Sequence, residues 1–143
     1  MADDSDGALT EYSLTASRVS PKRTSVDTGD AEFVVGKDVN PVEYFLGSIL
    51  ACINSTGTMV ARDMDIEIES LEASVDAGVN YARYKGEASE DRSGLQNVTV
   101  SVSVESDADQ ETLEEWRDRV EDRCPISDNV ANETPVEIDV AAE

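Results

Sequence analysis

The chain has 143 residues, room for one domain with an average-sized core. Its 32 acidic residues against 11 basic ones give a net charge of −21, which argues against a nucleic-acid or anionic-membrane partner, since phosphate binding needs clustered cations. The absence of histidine excludes His-based triads, most zinc sites and the usual general base.

Only Lys22, Lys37 and Lys85 are lysines. An acidic, lysine-poor surface suits a salt-rich cytoplasm, where mutual repulsion is screened over a few ångströms, and it points to a salt-adapted organism. The rival explanation of such charge is a cation-binding or an intrinsically disordered acidic protein, and the regular apolar periodicity described below weighs against disorder. The N-terminus, MADDSDG, is acidic and has no apolar h-region, so a cytoplasmic location is expected, with residues 1–8 a flexible acidic tail and 9–143 a single domain. Two cysteines in a reducing compartment are more often free thiols or a redox pair than a structural bridge.

Leu9 to Ser20 alternates weakly as a strand, Ser20-Pro21-Lys22 turns, Arg23 to Asp27 returns, and Glu32 to Val35 follows a second turn, which makes an antiparallel meander. Asn40 to Arg62, NPVEYFLGSILACINSTGTMVAR, reads as one helix. Asn40 is a suitable N-cap, Pro41 suits the first helical position, and Glu43 can close a capping box. Its many apolar residues predict burial on most sides, and Gly47, Ser48, Asn54 and Ser55 interrupt them, so a core helix is expected rather than a membrane span.

Ile66 to Val79 reads as a long strand with one wet face. Val98, Val100, Val102 and Val104 alternate strictly, and the two segments should pair as a hairpin. Asp107 or Asp109 caps a second helix with Leu113, Trp116, Val120 and Cys124 on one stripe, and Pro125 stops or kinks it. Trp116 is its core anchor, and Glu114-Glu115 and Glu121-Asp122 form a solvated face. Pro125 to Asn132 is a short turn or helix, and Pro135 to Ala141 alternates as a closing strand. The fold class is therefore α+β, in the order roughly βββαββαβ, with a long buried core helix on antiparallel sheet and no internal repeat.

Cys52 lies eleven residues after Pro41 in the core helix, and Cys124-Pro125-Ile126-Ser127 precedes the Pro135-Val136-Glu137-Ile138 segment. Read alone, Cys52 amid Ile49, Leu50, Ala51 and Ile53 is a small buried hydrophobe, and Cys124 a helix-end cysteine packed on the Trp116 stripe. Together, in this order and distance, the two segments resemble the OsmC/Ohr family of thiol-dependent hydroperoxide reductases. The resemblance covers about the last hundred residues well and the first thirty loosely.

The resemblance implies an OsmC-like fold, an intertwined homodimer, and two cysteines meeting near the subunit interface. It implies Cys52 as the peroxidatic thiol, Cys124 as the resolving one, a small organic hydroperoxide as substrate, and an external dithiol reductant with no bound cofactor or metal. Members of the hydroperoxidase type also supply an arginine from the N-terminal strands, here Arg23 or Arg18 with Arg23 favoured, and a glutamate directly after the proline. Val42 stands at that glutamate position, and Glu43 comes one residue later. At about 100° per residue the nine steps from Glu43 to Cys52 amount to a half-turn, so capping explains Glu43 better than catalysis does. Ser48, Ser55 and Thr56 share the Cys52 side of the helix; their hydroxyls could donate to a thiolate, or their small size could permit close helix approach. The alternative function is a non-peroxidatic dimeric binding or redox-sensing module that keeps the fold and both thiols without the full catalytic set.

Overall fold

The computed structural model describes residues 8–142. Most of the expected acidic tail, residues 1–7, lies outside them. The described order is β1 (Thr15–Ser20), β2 (Arg23–Asp27), β3 (Glu32–Val35), α1 (Pro41–Asp63), β4 (Ile68–Val79), β5 (Leu95–Ser106), α2 (Gln110–Arg123) and α3 (Pro125–Ala131). The chain forms two compact units, the first ending at Phe45 and the second beginning at Leu46.

In the first unit β1, β2 and β3 form the expected antiparallel meander, with Thr15 opposite Asp27 and Asp27 opposite Glu32, although the first strand begins at Thr15 rather than Leu9. The β2–β3 turn is held by side chains competing for backbone donors: Asp27 Oδ1 accepts from the Gly29 amide at 2.7 Å, and Thr28 Oγ1 accepts from the Ala31 amide at 3.0 Å. Gly36, at φ +96°, follows β3, and a Cβ there would collide with the Lys22 carbonyl, so only glycine fits. The capping box of α1 forms as expected, the Glu43 amide donating to Asn40 Oδ1 at 2.8 Å and the Asn40 amide to Glu43 Oε1 at 3.0 Å. Tyr44, in its first turn, stacks on Phe33 with ring centroids 5.8 Å apart.

The second unit holds the core. β4 and β5 pair antiparallel along their whole length, with Val75 opposite Val100 and Ala77 opposite Val98. Ile68, Leu71, Val98, Val100 and Val104 pack toward a buried cluster of Ile49, Ile53, Val60 and Ala61 from α1 with Trp116 and Val120 from α2. Burying each larger aliphatic side chain of this kind contributes roughly 1.5–3 kcal/mol. By length and composition α1 is apolar enough to cross a membrane, yet it is the helix that supplies most of this core. Its burial is narrower than the sequence suggests, following one stripe of Ile49, Ile53, Thr56, Gly57, Val60 and Ala61, while Met59 on another face stays exposed.

The C-terminal end also differs from expectation. Asp109, not Asp107, caps α2, accepting from the Thr112 amide at 2.9 Å. The short segment after Cys124 is the helix α3, and residues 133–142 hold no regular structure where a closing strand was expected, so the described order ends αα rather than αβ. Val136, Ile138 and Val140 are 81, 83 and 90% exposed. A strand is stable only when its backbone groups have a ladder to join, and the two-stranded sheet consists of β4 and β5 alone.

Candidate active site: a paired dithiol between two helices

The second unit brings its two cysteines together. Cys52 sits mid-way along α1, where Ile49 and Ile53 face the core. Cys124 is at once the C-cap of α2 and the N-cap of α3: its amide donates to the Val120 carbonyl at 2.9 Å, and its carbonyl accepts from the Asp128 amide at 3.0 Å. Pro125 forces this change of direction, because it restricts the preceding residue to extended backbone and needs no N–H partner at the first position of α3. The junction therefore holds Cys124 at a bend and only 1% exposed, while Cys52 is half-buried.

The Cys124 thiol donates to Cys52 Sγ across 2.9 Å. Both residues are free thiols, and their separation exceeds the roughly 2.05 Å of a disulfide. A shift of about 1 Å would therefore join them. The two sulfurs do not have the same surroundings. Burial pushes the Cys124 thiol up, but its hydrogen bonding with Cys52, with the Ser127 hydroxyl and with the Ser127 and Ile126 amides outweighs it and leaves the group below its ordinary value of 9.0. Those amides point toward the sulfur without completing a side-chain capping bond. On the other side, Thr56 Oγ1 lies 3.6 Å from Cys52 Sγ.

Two further contacts fix the helices that carry the sulfurs. Trp116 Nε1 donates to the Gly57 carbonyl at 2.9 Å, and Arg123, directly before Cys124, pairs with Asp63 at the end of α1 at 2.8 Å. An open cleft of about 800 Å³ runs between β5 and the helices, with Ile49, Ile53, Trp116 and Val120 but also Glu114, Arg117 and Glu121 in its wall, and neither cysteine lines it.

The remaining sequence candidates have their own partners. Arg23 opens β2 opposite Ser20, and Arg18 lies in β1 opposite Thr24, both in the first unit. Glu43 is engaged in the capping box. Ser55 Oγ donates to the Cys52 carbonyl, not to the sulfur. Ser127 carried no assigned role in the sequence, although a hydroxyl three residues after a helix-capping cysteine is the signal that would have found it. Among the described residues no cluster of three or more His, Cys, Asp or Glu could hold a metal ion.

One α+β unit thus holds two cysteine sulfurs within bonding reach, one half-buried and one buried and hydrogen-bonded. The comparisons give the family. Residues 35–139 match the model of the OsmC-like protein family, and the chain belongs to it. The OsmC-like protein from Mycoplasma pneumoniae superposes with a TM-score of 0.77 at 18% identity, covering 87% of this chain and 89% of that one. The organic hydroperoxide resistance protein OhrB of Bacillus subtilis gives 0.58 at 22% identity over 88% and 94%. A Legionella pneumophila structure described as an organic hydroperoxide resistance protein OsmC gives 0.57 at 19% identity over 86% and 90%. No curated protein matches the chain.

Proposed function

We propose that this protein is a thiol-dependent peroxidase that reduces small organic hydroperoxides. The observation that carries the reading is the 2.9 Å approach of the Cys124 and Cys52 sulfurs. The names of the hydroperoxide resistance proteins among its structural neighbours support the same reading.

The half-buried Cys52 attacks as thiolate. An S–O bond forms, the O–O bond breaks, and the alkoxide leaves with a proton from solvent, so the peroxide is reduced to an alcohol and Cys52 becomes a sulfenic acid. Cys124 then attacks that sulfur, the S–S bond forms, and the hydroxyl departs as water. Its lowered thiol value supports this role, since the resolving group must also act as thiolate. An external dithiol returns both cysteines to the reduced state, and no bound cofactor takes part. An arginine, Arg23 by sequence, would stabilise the thiolate and the leaving oxygen.

We further take the working unit to be a cytoplasmic homodimer. Met59 on α1 and the alternating Val136, Ile138 and Val140 are uncovered in one chain, and a second copy of the same chain would bury them. Light scattering should therefore return twice the chain mass.

The test is peroxide consumption by the reduced protein with a dithiol at high salt. Cumene hydroperoxide should be consumed, Cys52→Ser should abolish consumption while unfolding as wild type does, and Cys124→Ser should accumulate a Cys52 sulfenic acid that dimedone traps. Absence of turnover in the wild type overturns the reading. One observation favours a second reading, a redox-sensing module: Glu43 is occupied at the helix cap, so the glutamate of the hydroperoxidase type has no counterpart directly after Pro41. A reversible Cys52–Cys124 disulfide formed without turnover would select it.

A further inference from the structure

Three hydroxyls follow Cys52 in α1, and they behave differently. Ser55 Oγ donates to the Cys52 carbonyl at 3.2 Å, and Thr58 Oγ1 to the Asn54 carbonyl at 2.9 Å, the usual fate of a helical hydroxyl. Thr56 Oγ1 has Cys52 Sγ at 3.6 Å. Ser55 and Thr58 are exposed, whereas Thr56 is buried. A buried hydroxyl needs a partner, and a β-branched side chain in a helix has few rotamers with which to seek another.

The contact is weak between a thiol and a hydroxyl, because neutral sulfur neither donates nor accepts well. It becomes a charge-assisted hydrogen bond once the sulfur is a thiolate, and such bonds are about twice as strong as neutral ones. The contact therefore counts most in the state that reacts. On its other flank Cys52 meets the Cys124 thiol, the titratable group that faces it from the α2–α3 junction.

We propose that Thr56 is a positioning residue for Cys52, its hydroxyl donating to the Cys52 sulfur and holding the thiolate in the rotamer that reaches both the incoming electrophile and Cys124. This rests on the reading of Cys52 as a nucleophile. It assigns the hydroxyl a task that simple close packing of a small residue would not give it.

The experiment uses the full reduced chain carrying Cys124→Ser, so that a single thiol remains. Thr56→Val removes the hydroxyl with little change of shape, and Thr56→Ser keeps it. Alkylation of Cys52 by iodoacetamide at neutral pH should be about tenfold slower in the valine variant and within about threefold of the parent in the serine variant. Thermal unfolding of each variant guards against a loss of fold, and Thr56→Ala read against Thr56→Ser replaces the valine if it fails to fold. Alkylation of the hydroxyl-free variant at the parent rate or faster overturns the proposal. In protein with both cysteines, kcat/KM for cumene hydroperoxide should fall by the same factor in Thr56→Val and recover in Thr56→Ser. Should the wild type consume no peroxide, the peroxidase reading fails, and the alkylation series still decides the role of Thr56.

Discussion

Trp116 stands on Gly57: its indole Nε1 donates to the Gly57 carbonyl at 2.9 Å, and a Cβ on Gly57 would lie 2.5 Å from Trp116 Cζ2. Glycine in a helix interior normally costs about 1 kcal/mol relative to alanine, so its place here has a specific cause. It lets α2 approach α1 closely enough for the indole to satisfy a helix carbonyl, and Cys124 follows two turns later.

Gly57→Ala should therefore destabilise the protein although alanine is the better helix former. The ring cannot yield without losing its hydrogen bond, and overpacking of this kind costs about 1–3 kcal/mol, more than the helix propensity gained. Chemical denaturation should show a lower midpoint with an unchanged slope, and disulfide formation between Cys52 and Cys124 should slow. A more stable alanine variant would contradict the close approach.

The start of α1 should respond to its cap. Asn40→Ala removes the acceptor of the Glu43 amide and should cost about 1 kcal/mol. Glu43→Gln preserves the reciprocal bond to the Asn40 amide and should stay within about 0.5 kcal/mol of wild type. Equilibrium unfolding of both variants checks the difference.

Two groups should make stability depend on pH, at opposite ends of the scale. The Cys124 thiol is lowered in the folded protein, so its contribution is fully present above its ordinary value of 9.0 and is lost as pH falls through the folded value. Reduced wild type should thus gain on Cys124→Ala as pH rises from neutrality toward that range. Asp109 is held below its ordinary 3.8 by its hydrogen bonding to Thr112, so its stabilisation of α2 is present above that value and fades as pH falls further. Melting temperatures across both ranges, with Asp109→Asn removing the acid limb, test the signs.

Salt should stabilise the fold. The net charge of −21 is self-repelling, and added ions shorten its range from about 10 Å at 0.1 M to about 3 Å at 1 M. The described ion pairs, such as Arg117–Asp118 and Arg123–Asp63, are at least a third exposed and lose little to the same screening. The melting temperature should rise steadily over this range of sodium chloride; a fall would show that specific pairs matter more than the total charge.

The meander, the core helix with its capping box, the β4–β5 hairpin and α2 were legible because each has a local signature: turn residues, Asn40 with Glu43, alternating valines, and an apolar stripe beginning after an acidic cap. The family resemblance rested likewise on short segments around Cys52 and Cys124. The C-terminal segment misled because Val136, Ile138 and Val140 alternate as a strand does, while a strand also needs an edge to pair with, and periodicity says nothing about that. Burial of α1 was overstated for a related reason, since apolar content gives the total that could be covered and not the faces that one chain covers.

The sequence by itself determined the acidic charge, the absence of imidazole chemistry, the two cysteines and the elements that bear them, all of which depend on residue identity and spacing within a few turns. Only the tertiary structure decided that the Cys52 and Cys124 sulfurs stand 2.9 Å apart and that Gly57 is the seat of Trp116. Those relations join residues on different elements, and their distances follow from how the helices pack.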